Sequence, residues 1–487
     1  METRPSEPPR SGRKLAVGAA AMGVTNVLKT LVQVLMIPVM ARLLGPAEFG
    51  LYALALPTVA FLVTLAAAGL GSSLAREPTS DSELWSTAFW FLCGLGLLAI
   101  GAVTAGAQVI ALLAHQPRLP GVMAALSISI LCLTLCVLPS ARLTRAGRFD
   151  VYALCDFASN MVGAGLGLTL ALNGAGVWSL VWQYVSAFAV RALILNIAAP
   201  QLPRLRFRLS RLTTHLAVGG SIAGGNVADF AGKLVEGAII SRTSGASVLG
   251  VFSFSNQIPR FLSGAIANPI WASLYYHALR NDGDETLNIY YRLTRLMAIL
   301  LFPMSFIIAA AMPQLAHLFL GPKWVQSIPV IRILLPTTAF TFIGAQSGPI
   351  LYARGRSRLQ FLNIIALAMA RVGSVSAIPV IGLAGAALAI GMANIGYGLI
   401  GILVPRSTLK SSARAVFAGL AGPFICASSA AAMCILLLGL RPVGVVWTFA
   451  CLGAAGLGYA LALLAFDRRR VGRDIDAVRS LMSPQPA

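Results

Sequence analysis

Long polar stretches are what this 487-residue sequence lacks. Charged residues make up 11% of it, against about 25% in an ordinary soluble domain. Acidic side chains are the scarcer kind, with 16 Asp and Glu beside 37 Lys and Arg. No segment between apolar blocks exceeds about twenty residues, too little for a large extramembrane catalytic domain. The four histidines are scattered without metal-ligand spacing. The seven cysteines (Cys93, Cys132, Cys136, Cys155, Cys426, Cys434 and Cys451) all fall inside apolar blocks, where small apolar packing is their expected use. The charged head "METRPSEPPRSGRK" is followed by an apolar run too long for a signal peptide, so no cleaved leader is expected.

What is present is hydrophobic, 57% of the chain, in blocks mostly longer than twenty residues. Blocks of that length cross a bilayer as helices, whereas buried strands and core helices are shorter. The expected fold class is an all-α polytopic membrane protein with about fourteen transmembrane helices. Their predicted spans are 15–41, 49–74, 84–113, 121–138, 151–173, 176–199, 214–240, 247–272, 290–316, 325–351, 359–381, 384–404, 413–438 and 443–466.

The net charge of +21 invites a nucleic-acid reading, but its placement opposes one. Most of the Lys and Arg fall in the two tails and the even-numbered loops. Arg42, Arg118, Arg242, Lys323 and Arg441 are those left in the odd-numbered loops. That bias is the positive-inside pattern, and it predicts both termini in the cytoplasm with no nucleic acid as partner.

The chain also repeats itself. "RLLGPAEFGLYALAL" at 42–56 is echoed by "RTSGASVLGVFSFSN" at 242–256, so that Gly45 meets Gly245 and Gly50 meets Gly250. "RAGRFD" at 145–150 meets "ARGRSR" at 353–358, and "NGAGVWSL" at 173–180 meets "IGLAGAAL" at 381–388. Spans one to six therefore correspond in order to seven to twelve. Six is even, so both copies cross the membrane in the same sense, as in transporters that bind between parallel repeats and rock one against the other. The expected organisation is a tail at 1–14, an N-lobe at 15–199 and a basic linker at 200–213, then a C-lobe at 214–404, an extra helix pair at 405–466 and a tail at 467–487. The paired glycines suit tight turns and close helix approach; a plain hairpin turn is the simpler alternative.

At "RLLGPAEFGLYALAL…GLGSSLARE", "VLGVFSFSNQIPRFLSGAIANPIWASLYY" and "LFPMSFIIAAAMPQLAHLFLGPKWVQSIPVIRIL" the sequence resembles the Wzx-type polysaccharide-transport flippases of the multidrug/oligosaccharidyl-lipid/polysaccharide exporter superfamily. The resemblance spans about residues 15–404, and the second copy departs from it by lacking the Pro and Glu of the first. It implies a two-lobed, multidrug-exporter-like flippase of the bacterial inner membrane. The implied cargo is an oligosaccharide on undecaprenyl pyrophosphate, handed on for exopolysaccharide, capsule or O-antigen assembly. Membrane lipid and the polymerase and export machinery are the further partners implied.

Ionisable residues within spans are costly and are functional candidates by default. Leaving with the loops Arg292, Arg295 and Arg414, which stand within the first turns of their spans, the basic ones are Lys29, Arg191, Lys233, Arg260, Arg332 and Arg371; the acidic ones are Asp156, Asp229 and Glu236. The surplus of cations suits an anionic passenger such as a pyrophosphate. Lys29, Lys233, Arg260, Arg332 and Arg371 are the expected substrate-binding residues of a cationic central cavity. Arg191 and Asp156 lie nearer span ends, where snorkelling is an equal alternative. Asn226, Asp229, Lys233 and Glu236 share one helical stripe, with Asp229 and Lys233 in register for a pair. Lys29 and Gln33 occupy the positions matching Asp229 and Lys233. Two readings of the stripe stand open: a self-neutralised set that pins packing, or a cavity, with Asn226 and Gln33 as its further polar residues, where Asp229 or Glu236 takes a coupling proton or Na+.

The expected activity is transport rather than bond chemistry, with no cofactor. Two rivals remain. A cation-coupled multidrug exporter of the same fold would prefer a net acidic or aromatic cavity. A membrane-embedded sugar polymerase or ligase would need a sizeable outer loop, and the outer loops here are short.

Overall fold

The computed structural model describes residues 12–67, 74, 82–200, 203–204, 207–208, 212–280, 283–409, 413–440 and 444–482, and these are helical or lie in short connections. In chain order the helices are α1 (Gly12–Leu44), α2 (Pro46–Ala67), α3 (Ser82–Ala114), α4 (Leu119–Arg145), α5 (Phe149–Leu172), α6 (Val177–Ala198) and α7 (Thr213–Arg280). They continue with α8 (Gly283–Leu315), α9 (Ser327–Gly344), α10 (Ser347–Ala353), α11 (Ser357–Ser376), α12 (Ile378–Leu409), α13 (Ala413–Gly439) and α14 (Val445–Met482).

Among the described residues, eleven helices are long and apolar enough to cross a membrane. Parts of the three predicted spans not among them, 49–74, 214–240 and 247–272, lie outside the described residues, the last two in their side chains alone. In the first of them the described apolar stretch is Pro46–Leu62 of α2. The other two lie within α7, which carries Asp229, Lys233, Glu236 and Arg260 and turns sharply at Gly245 (φ 86°, ψ 167°). Large apolar side chains such as Leu98, Leu112, Leu436 and Val446 are more than 70% exposed. On a water-facing surface such exposure would be a liability; on bilayer-crossing helices it meets lipid tails. The chain is a multi-pass membrane protein.

Two compact units divide the chain at Gly250. In the first, α3 packs on α4, α4 on α6, α5 on α6 and α1 on α5. In the second, α8 packs on α9, α9 on α12, α11 on α12, and α13 and α14 on α8. The last two helices complete the core of the second unit: Phe424 packs among Phe302, Phe306 and Phe340, and the Tyr459 hydroxyl donates to the Ile299 carbonyl at 2.8 Å.

The paired sequence motifs adopt paired backbone conformations. Gly45 and Gly245 have φ of 83° and 86°, Gly147 and Gly355 64° and 70°, Gly174 and Gly382 75° and 71°. The turn after α4 is closed by Arg148 N–H on Leu143 O and Gly147 N–H on Thr144 O; the turn after α10 is closed by Arg356 N–H on Leu351 O and Gly355 N–H on Tyr352 O. A left-handed glycine lets each chain reverse while satisfying the helix-end carbonyls.

Within the first unit the two turns of the first echo also touch. A Cβ on Gly50 would fall 1.8 Å from the Ala246 carbonyl oxygen, and one on Gly250 1.7 Å from that of Pro46. The start of α2 and the bend of α7 thus approach backbone to backbone, which only glycine permits. α9 and α12 use the same device at Gly344, Gly398 and Gly401.

Candidate functional site

The first unit gathers one cluster of charge from three helices. Lys29 is on α1, Asp156 on α5 and Arg191 on α6. Lys29 Nζ donates to Asp156 Oδ2 at 2.7 Å, and Arg191 Nη1 lies 3.0 Å from Asp156 Oδ1. The three side chains are 24%, 14% and 20% exposed. Arg191 also covers the Tyr152 ring, one turn earlier on α5, and donates to its hydroxyl. Charged groups so far from bulk water need partners, because desolvation is repaid only by good geometry. One carboxylate has lone pairs enough for both cations. The set holds two positive charges and one negative, so its surplus is cationic. A phosphate oxygen offers the same acceptor geometry as the carboxylate, and Arg and Lys bind it by fork and point charge respectively.

Here tertiary structure joins residues that local reasoning kept apart. Arg191 and Asp156 do not simply reach for the interface; each meets a charged partner. Lys29 spends its ammonium on Asp156. Gln33, one turn further along α1, is exposed.

The other expected residues are distributed over both units. Lys233 is half-buried and Glu236 is 8% exposed in the first part of α7. The side chains of Asn226 and Asp229 lie outside the described residues, and with them the expected Asp229–Lys233 pair. In the second unit, Arg371 on α11 is 8% exposed and donates to Asn256 Oδ1 on α7 at 3.3 Å. Arg260 on α7 and Arg332 on α9 are exposed. The two units thus hold separate groups of these residues.

Two further groups escaped the sequence reading. Glu48, in the first turn of α2, accepts both Arg118 guanidinium nitrogens at 2.8 and 3.3 Å and the Val177 N–H at 2.6 Å. It therefore caps α6 from another helix and ties together the starts of α2, α4 and α6. No local signal announces it, since its partners are 70 and 129 residues away. Arg295 on α8 is 7% exposed, although its place three turns into the helix reads as loop-proximal. Among the described residues, no group of three or more His, Cys, Asp or Glu could hold a metal ion.

Known proteins share this arrangement of helices. The lipid II flippase MurJ, in an inward closed conformation, superposes with a TM-score of 0.73 over 92% of this chain and 99% of its own, at 13% identity. An inward-facing multidrug resistance MATE family transporter of the MOP superfamily gives 0.62 over 78% and 94%, at 16% identity. Identities this low establish the fold alone. In sequence, the chain is 27% identical over 348 residues to the succinoglycan biosynthesis transport protein ExoT of Rhizobium meliloti (strain 1021), covering 70% of this chain and 69% of that one. It is 23% identical over 363 residues to the lipopolysaccharide biosynthesis protein WzxC of Escherichia coli (strain K12), covering 72% of each. The profile of the family described as polysaccharide biosynthesis protein matches residues 39–329, well over half of the chain, and the chain belongs to that family.

Proposed function

We propose that the protein is a flippase that moves a lipid-linked oligosaccharide, with an undecaprenyl-pyrophosphate anchor, across the bacterial inner membrane for polysaccharide assembly. The observation that carries this reading is family membership together with the likeness to a succinoglycan biosynthesis transport protein. The fold shared with a lipid II flippase supports it. No covalent bond is made or broken in such a step, so the protein acts as a carrier and not as an enzyme.

The carrier consists of fourteen membrane spans, counted as in the sequence. They form two six-helix repeats and an added pair, with both termini cytoplasmic. The paired glycine conformations and the like helix pairings in the two units support the repeat. Lys29 and Arg191 take the pyrophosphate, displacing part of their hold on Asp156. Lys233, Arg260, Arg332 and Arg371 supply further positive charge along the path. An inside-negative potential favours outward passage of an anion by about 2.3 kcal/mol per charge per 100 mV. A proton or Na+ on Asp229 or Glu236 resets the carrier. A multidrug exporter shares the fold, but the cationic surplus at Asp156 repels cationic drugs.

The test is deletion followed by analysis of lipid-linked sugars with leaflet-specific probes. Intact repeat units held on the cytoplasmic leaflet are the expected result. Normal polymer export in the deletion strain would overturn the proposal.

A further inference from the structure

A second cluster of recognition chemistry lies within the second unit. Trp271 and Tyr275, one turn apart near the end of α7, stack with ring centroids 5.6 Å apart and an interplanar angle of 21°. Tyr352 of α10 stands edge-on to Trp271 at 6.3 Å. Gln360 of α11 lies beside them, 6% exposed, with its Nε2 3.4 Å from the Tyr397 hydroxyl of α12. Its Oε1 is buried and, among the described residues, has no hydrogen-bond partner. Gly348 of α10 lets both side chains pack close to the helix: a Cβ there would come 3.3 Å from Gln360 Nε2 and 3.5 Å from Trp271 Nε1. The exposed Arg354 and Arg356 follow Tyr352 in the turn closed at Gly355.

Two of these features ask for a ligand. A buried amide oxygen without a donor is costly, and such groups in native proteins call for an explanation. A stacked indole and phenol beside it present an apolar face next to that acceptor. A pyranose ring matches this pairing, since its C–H face packs on an aromatic ring while its hydroxyls donate to an amide oxygen.

Interfacial aromatic belts are the competing explanation. Tyr276 has that character: it is 51% exposed and lies beneath Arg280. Trp271 differs, being half-buried, flanked by two tyrosines and set against a buried glutamine.

We infer that Trp271, Tyr275, Tyr352, Gln360 and Tyr397 form a saccharide subsite that takes a neutral pyranose of the transported oligosaccharide, with Trp271 as the stacking platform and Gln360 Oε1 as the hydroxyl acceptor. The inference rests on the flippase reading for the identity of the passenger. The neighbouring basic turn, cytoplasmic in the proposed topology, makes this an entry-side subsite.

The test has two arms. In the deletion strain, complemented at matched abundance, Trp271→Leu and Gln360→Leu are expected to lower polymer export about tenfold, the scale of one lost stacking or hydrogen-bond contact. Trp271→Phe, which keeps a stacking face, should recover most of it, and Tyr276→Ala should leave export unchanged. In the second arm, cellotetraose is titrated onto the full chain in lipid nanodiscs while tryptophan fluorescence is read. A saturable change that Trp271→Phe removes and Tyr276→Phe retains is expected. Wild-type export by both leucine variants, or an identical fluorescence response in wild type and Trp271→Phe, would overturn the subsite. Failure of the flippase reading is separate: it appears as normal export in the uncomplemented deletion strain.

Discussion

Gly250→Ala puts the backbone approach of α2 and α7 under direct test. The added methyl would sit 1.7 Å from the Pro46 carbonyl oxygen and 2.6 Å from its carbon. An ordinary contact needs about 3.2–3.4 Å, so the helices must part by about 1.5 Å. The obstructing atom is backbone, and no rotamer change relieves it. Overpacking of this kind costs about 1–3 kcal/mol. Between membrane helices the loss is felt fully, because close packing rather than hydrophobic exclusion holds them together. At about 2–4 °C per kcal/mol for a unit of this size, the midpoint should fall by roughly 2–12 °C. Gly50→Ala should behave alike, since its methyl would sit 1.8 Å from the Ala246 oxygen. Gly453→Ala in α14 is the control: it meets nothing within 4 Å and should be neutral or stabilising by up to about 1 kcal/mol. Thermal unfolding of purified protein in one detergent measures all three. Midpoints for Gly250→Ala and Gly50→Ala equal to or above that of the wild type would refute the reasoning.

Asp156→Ala should lower stability by about 1–3 kcal/mol, less than for a fully buried pair because the three side chains keep some solvent. Lys29→Ala should be milder, since Arg191 stays on Asp156; abundance and thermal midpoint distinguish them. Glu48→Ala should cost about 1–2 kcal/mol through the lost α6 cap, whereas Arg118→Ala, at a 60% exposed side chain, should cost under about 1 kcal/mol in the same assay. Single cysteines placed at 206, 356 and 470 should react only with reagent supplied from the cytoplasm, and those at 118 and 441 only from outside; a cytoplasmic position 441 would break the fourteen-span count.

Membrane class and helix class were legible in the sequence because both follow from local quantities. An apolar run of about twenty residues crosses a bilayer whatever it packs against. The resemblance to polysaccharide-transport flippases was likewise legible, because its motifs are contiguous stretches. The turns at Gly45 and Gly245 were legible as a pair because glycine is the residue that takes positive φ without strain.

The partners of those residues were decided by tertiary structure. Asp156 meets Lys29 across 127 residues of chain, and Glu48 meets the α6 N-terminus across 129. The reciprocal contact of Gly50 and Gly250 and the placing of Gln360 beside Trp271 depend likewise on helices distant in sequence. Helical periodicity shows which residues share a stripe, but not what that stripe faces. In a bundle whose outer surface is as apolar as its core, hydrophobicity does not separate lipid-facing from protein-facing sides. Only the packing of α1, α5 and α6 joins Lys29, Asp156 and Arg191, because a charge held from water is stable where another helix brings its counter-charge within about 3 Å.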